Sequence, residues 1–180
     1  MDRRTLVVWC AIAFGAPAAL AAADVGNIAG GSSSTAPAQN VRSVDRDGRI
    51  AELLREGMAM SATLRGLVAA LEASDAIVHV SFAHSPALNG YLTHQLTAAG
   101  SHHYLRVVLR ARLSNRESIP VLAHELQHAL EVARSPEVRD SEALRELFRR
   151  IGAPALNSAL VHETQEALRV QRQVRAELRA

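Results

Sequence analysis

The stretch Pro120-Val121-Leu122-Ala123-His124-Glu125-Leu126-Gln127-His128-Ala129-Leu130-Glu131-Val132-Ala133 carries both the architecture and the chemistry of this chain. Val121, Leu122, Leu126, Ala129, Leu130 and Val132 surround three polar residues, so a helix here is apolar nearly all round and is predicted to be buried. Pro120 suits its first turn, and Arg134, Ser135 and Pro136 end it. Histidines four apart project from one helix face, so His124 and His128 can converge on a single metal ion. Glu125 beside them can then reach a metal-bound water as general base. For this composition an HExxH match arises by chance about 0.02 times per chain. The buried setting strengthens it, because buried imidazoles beside a carboxylate need partners and a metal supplies them.

Outward from this helix the pattern is mixed. From Arg49 to Ala73 the apolar residues Ile50, Leu53, Leu54, Met58, Leu64 and Leu67 recur at helical spacing, with Gly57 and Gly66 as weak points, which predicts one long or kinked helix. Ile77, Val78, Val80 and Phe82 read as a short strand. Gly90 to Thr97, a glycine turn over Ala98 to Ser101, and His103 to Leu113 read as a hairpin. In its second strand Leu105, Val107, Leu109 and Ala111 share one face, and Tyr104, Arg106, Arg110 and Arg112 fall on the other, so one face is buried and one wet. Asp140 or Ser141 can cap a helix to Ile151, and a last helix is expected from about Asn157 to the terminus. The predicted class is α+β: a small antiparallel or mixed sheet of about three strands packed with the HExxH helix and a C-terminal helix.

The first 23 residues differ in composition. Arg3 and Arg4 precede the apolar run Leu6 to Phe14, then come Gly15, Pro17 and an alanine-rich stretch with small residues at Ala21 and Ala23. This reads as a secretory signal peptide cleaved after Ala23. An uncleaved anchor is the alternative, but Gly15, Pro17 and the weakly apolar alanines make a poor membrane span. Export to the periplasm or the cell exterior follows as an expectation, with no membrane attachment after cleavage. Cys10, the single cysteine, lies in the apolar run, so the exported chain would hold no thiol and must rely on its core or a metal. Residues 24–48, rich in Gly, Ser, Ala, Asn and Asp, read as a flexible tether, leaving 49–180 as one domain. The 20 basic residues are all arginine and are nearly matched by 18 acids, for a net charge of +2. That balance gives no electrostatic case for nucleic acid.

Two histidines do not complete a catalytic zinc site, which takes three protein ligands and leaves a position for water. The extended pattern HExxHxxGxxH is absent, since Glu131 and Arg134 stand at its glycine and third histidine. Glu131 lies about 4.5 Å further along the helix axis than His128 and is read as solvated or paired. Glu142 and Glu146 point away from the apolar face of their helix. In the last helix Leu156, Leu160, Ala167, Val170, Val174 and Leu178 form a stripe whose missing member is Glu163. A carboxylate at a core position must be paired or ligate a metal, so Glu163 is favoured as third ligand over Glu166, with Asp140 behind. The competing role for Glu163 is a buried ion pair with one of the arginines.

With HELQH on one helix and HETQEA later in the chain, the sequence resembles a minimal gluzincin-type zinc metallopeptidase, and also a group of small exported bacterial proteins containing HELQHALEVA. The resemblance implies one Zn²⁺ per chain, a peptide or protein substrate, and a strand bordering the cleft, for which Tyr104 to Leu113 is the candidate. A group stabilising the transition state should be Tyr, His or Arg near the cleft, with Tyr104 chosen ahead of His162. His79, His84, His94, His102 and His103 are read as surface or strand-edge residues. The expected function is an exported zinc-dependent hydrolase in which Glu125 activates water. The alternative is a zinc-stabilised binding or structural domain without catalysis.

Overall fold

The computed structural model describes residues 40–45, 47–84, 88–93, 95–155 and 158–180. The expected signal peptide, its cleavage site, the tether up to residue 39, and His94 lie outside these residues. The chain runs through strand β1 (Val41–Ser43), helices α1 (Arg49–Met60) and α2 (Ala62–Glu72), and strands β2 (Ala76–Ala83), β3 (Gly90–Leu92), β4 (Thr97–Ala99) and β5 (His102–Arg110). Helices α3 (Asn115–Ala133) and α4 (Ser141–Ile151), hairpin strands β6 (Ala153–Ala155) and β7 (Ser158–Glu163), and helix α5 (Gln165–Glu177) follow. The class is α+β, as expected, and the main sheet is mixed and has five strands.

In that sheet the order is β1-β2-β5-β3, with β4 also paired to β5. β1 and β5 run parallel to β2, whereas β3 and β4 run antiparallel to β5. β1 corrects the expected extent of the tether. Its composition is that of a loop, but long-range pairing of Val41 with Val78 makes it an edge strand. The expected hairpin is present, with β3 and β4 sharing one partner. Val78 and Val80 in β2 align with Leu105 and Val107 in β5, and these four side chains are buried in one core with Leu53, Leu64, Leu122 and Leu126. The helices that pack on the main sheet, α1, α2 and α3, thus meet it on this aliphatic face.

Local chemistry explains where the helices begin and end. The long N-terminal helix is split at Ser61, whose backbone is extended (φ −127°, ψ 115°) and whose hydroxyl accepts from the N–H of Leu64. Helix α3 starts five residues before Pro120. Glu117 reaches back to accept from the N–H and hydroxyl of Ser114 at 3.0 and 2.7 Å, an S-x-x-E arrangement that fixes the start. Pro120 therefore sits inside the helix, a cost of about 3 kcal/mol in an isolated helix, offset here by the burial of α3 from Ser118 to Leu130. Asp140 caps α4 by accepting from the N–H groups of Glu142 and Ala143. Ile151, expected on the buried face of α4, is 42% exposed.

The last helix is shorter than its apolar stripe implied. Residues 158–163 are strand, and Thr164, accepting from the N–H of Ala167, starts α5 at Gln165. The helical phase that selected Glu163 therefore does not exist at residue 163. Backbone pairing of β7 with β6 replaces it, Ala153 standing opposite Glu163 and Pro154 opposite His162.

Candidate metal centre

Two elements meet at His124, His128 and Glu163. Helix α3 supplies the two histidines one turn apart, and Glu163 is the last residue of β7. Their ligand atoms lie within 4.8 Å of one another. Nε2 of His124 stands 3.0 Å from Nε2 of His128 and 2.9 Å from Oε2 of Glu163. Around a tetrahedral zinc, with ligands at about 2.0–2.1 Å, neighbouring donor atoms are about 3.3 Å apart. These two spacings are close to that and the remaining pair lies within 4.8 Å, so the group could hold a metal ion.

The approach of Glu163 depends on a glycine. A Cβ on Gly152 would stand 2.8 Å from the carbonyl oxygen of Phe148 and 3.2 Å from that of Glu163. Without one, the end of α4 folds tightly onto the hairpin that carries Glu163. Phe148, on the buried face of α4, meets the His128 ring edge-on with centroids 5.1 Å apart.

The donor set fits a cation. Glu163 has no hydrogen-bond partner for either carboxylate oxygen among the described residues. Its close approach to His124 is an ion-pair contact lacking hydrogen-bond alignment. The expected competitor, an arginine paired with Glu163, is not present among the described residues, where the ion-pair partners of Glu163 and Glu131 are His124 and His128. Burial pushes the pKa of His124 down, but Glu163, Glu125 and Glu131 together outweigh it and hold that pKa above the ordinary imidazole value. Three carboxylates thus focus negative potential on the histidine pair, and a divalent ion would compensate it.

Glu131 is paired rather than solvated. Nδ1 of His128 donates to Glu131 Oε2 at 2.9 Å, and the hydroxyl of Thr164 donates to Glu131 Oε1 at 2.7 Å. This carboxylate lies against the far edge of the His128 ring, which leaves Nε2 turned to His124 and excludes Glu131 as a ligand. It was legible in sequence only as a rejected ligand; the signal for its actual place is a carboxylate one turn after a candidate ligand histidine.

Glu125 is fully buried beside the pair. Gly90 of β3 comes close to it, for a Cβ there would stand 3.4 Å from Glu125 Oε1. β3 therefore borders the site. β5 is an inner strand, paired on one side with β2 and on the other with β3 and β4.

Tyr104 is not brought to the site. It lies in β5 between Leu105 and His103 and shares the face of Arg106, opposite the aliphatic face under the helices; its ring neighbours that of exposed His102, with centroids 6.3 Å apart. The alternation along β5 separated these faces correctly, and only packing shows that α3 covers the other one. His162 is adjacent to Glu163 and partly exposed. Glu166 is bound to Arg169 at 2.9 and 2.6 Å, and Asp140 is spent on its helix cap, so neither reaches the histidines. His103, expected at the surface, is fully buried, with Nδ1 3.2 Å from Asp75 Oδ1.

Comparisons with protein-family models, with curated proteins and with solved structures gave no match.

Proposed function

We propose that this protein is an exported zinc-dependent hydrolase acting on peptide bonds. The observation that carries this reading is the convergence of His124, His128 and Glu163 around one point, with Glu125 on the same buried turn of α3. Two imidazoles and one carboxylate, with a position left for water, are the donor set of a catalytic zinc. A zinc ion bound there would supply Lewis acidity, polarising a carbonyl and lowering the pKa of water.

The chain's own residues do the rest. Glu125 accepts a proton from the attacking water and returns it to the leaving amine, the two halves of general acid–base catalysis. β3 stands at the end of the sheet path, and its outer edge is unpaired among the described strands. An extended peptide adding to that edge would pass Gly90 and so come near Glu125. In a gluzincin-like arrangement this edge takes the part that the sequence had suggested for the Tyr104 strand. Export is proposed from the charged start, apolar run and small residues of positions 1–23.

One observation favours a second reading, a zinc-stabilised binding or structural domain. The side chains of His124 and His128 are only 1% and 4% exposed, and Glu125 is fully buried, as in closed structural sites. Zinc analysis followed by an unbiased peptide-library cleavage assay separates the two. One zinc per chain with cleavage supports the hydrolase; one zinc with no cleavage across the library supports the binding domain; no zinc overturns both. Mass spectrometry of the exported form should find Asp24 at its N-terminus.

A further inference from the structure

Glu131 makes two hydrogen bonds that join the two halves of the metal centre. One oxygen accepts from Nδ1 of His128 on α3, and the other accepts from the hydroxyl of Thr164. Thr164 is the residue after Glu163, so the same carboxylate holds a ligand on the helix and the backbone next to the ligand on β7. Gln127 adds a longer contact at 3.4 Å. The side chain of Glu131 is 11% exposed, and no arginine pairs with it among the described residues.

The hydroxyl of Thr164 serves as donor and acceptor at once. It donates to Glu131 at 2.7 Å and accepts from the N–H of Ala167 at 3.1 Å. The start of α5, the end of β7 and the last turn of α3 are thereby fixed to one another through two side chains. A neutral imidazole carries one proton, and the nitrogen that holds it is set by the hydrogen bond available to it. With Glu131 at Nδ1, the His128 proton resides there and Nε2 presents its lone pair toward His124 and Glu163.

We infer that Glu131 is the positioning residue of this centre: it fixes His128 as the Nδ1–H tautomer and, through Thr164, locks the Glu163 segment to α3 at ligand distance. The inference rests on the metal-site reading above and assigns Glu131 no contact with the ion or with substrate. An outer carboxylate of this kind changes metal affinity by about 10- to 100-fold when removed.

The test uses the full chain, with zinc as the probe and a chromophoric chelator as competitor. Glu131→Gln retains shape but loses the charge that favours the Nδ1–H form, and its zinc affinity should fall about 10-fold; Glu131→Ala should approach 100-fold. Thr164→Val removes the tie to β7 and should also weaken zinc, whereas Thr164→Ser keeps both hydroxyl contacts and should match the parent. Ring ¹⁵N shifts of His128 in the zinc-free protein give a readout that mere destabilisation would not move. The parent should show protonated Nδ1 and bare Nε2, and Glu131→Ala should shift the proton toward Nε2. A parent that binds zinc together with Glu131 variants of equal affinity and unchanged His128 tautomer overturns this inference alone. A parent that binds no zinc overturns the metal reading, and this inference with it.

Discussion

Oε2 of Glu163 lies 2.9 Å from Nε2 of His124, a contact between the end of a hairpin strand and the middle of the buried helix α3. Neither element could place it alone. The helix fixes the direction of the imidazole, and the β6–β7 pairing fixes where the strand ends.

Removing this carboxylate should therefore be felt first in metal binding. Glu163→Gln is expected to lower zinc affinity by about 100-fold or more, at or beyond the upper end of the effect of outer-shell changes. Glu166→Gln should bind like the parent, because Glu166 is engaged with exposed Arg169 on α5. Chelator competition on the two variants checks the contrast; equal affinities would remove Glu163 from the site.

Glu125 should matter for turnover and not for metal. Glu125→Gln keeps the size of the side chain but cannot take a proton, so hydrolysis of any peptide cleaved by the parent should fall by about 10² or more, with zinc content unchanged. Tyr104→Phe should leave kcat within about twofold, since its ring lies on the opposite face of the sheet. A large loss on Tyr104→Phe would mean that the sheet faces are assigned the wrong way round.

Gly152 should be intolerant of a side chain. A Cβ there would stand 2.8 Å from a backbone oxygen, that of Phe148, and backbone does not yield as a flexible side chain does. Gly152→Ala is expected to cost about 1–3 kcal/mol in urea unfolding and to weaken zinc, because the turn it strains leads into β6, the strand paired with the one bearing Glu163. Parent-like stability would show that the α4–β6 junction has slack.

Glu177 ties α5 to the start of α2 and should make the fold acid-sensitive. Its carboxylate accepts from the hydroxyls of Ser61 and Thr63 at 2.5 and 2.7 Å and from the N–H of Thr63 at 3.2 Å. Burial pushes its pKa up, but these bonds and one from Gln173 outweigh it and bring it down from 4.5 to about 2. A pKa lower in the folded than in the unfolded chain contributes stability that is fully present above the unfolded value and is lost as pH falls through the folded one. Stability should thus decline from about pH 4.5 toward pH 2. Glu177→Gln should lose about 1–2 kcal/mol at neutral pH and show a shallower decline over that interval. Urea melts of both proteins at pH 5 and pH 3 measure it, and parallel declines would remove Glu177 as the cause.

The spacing of His124, Glu125 and His128 needed no tertiary structure to be read, because side chains four apart meet on any helix. The two faces of β5 were legible for the same reason, since alternation is a property of the strand itself. The split at Ser61 and the S-x-x-E start of α3 were local signals, present in the sequence and outweighed there by apolar periodicity and by Pro120. Glu163 was reached by a helical phase that the fold does not use: residues 158–163 pair with β6, and Thr164 caps α5 at Gln165. β1 was hidden in a loop-like composition because three residues become a strand only when a distant partner supplies the hydrogen bonds. The same holds for Glu131, for β3 beside Glu125, and for the face to which Tyr104 belongs. Local periodicity states which residues share a side, but which sides are pressed together depends on long-range packing, and that is where the candidate third ligand and its hydrogen-bonded neighbours were set.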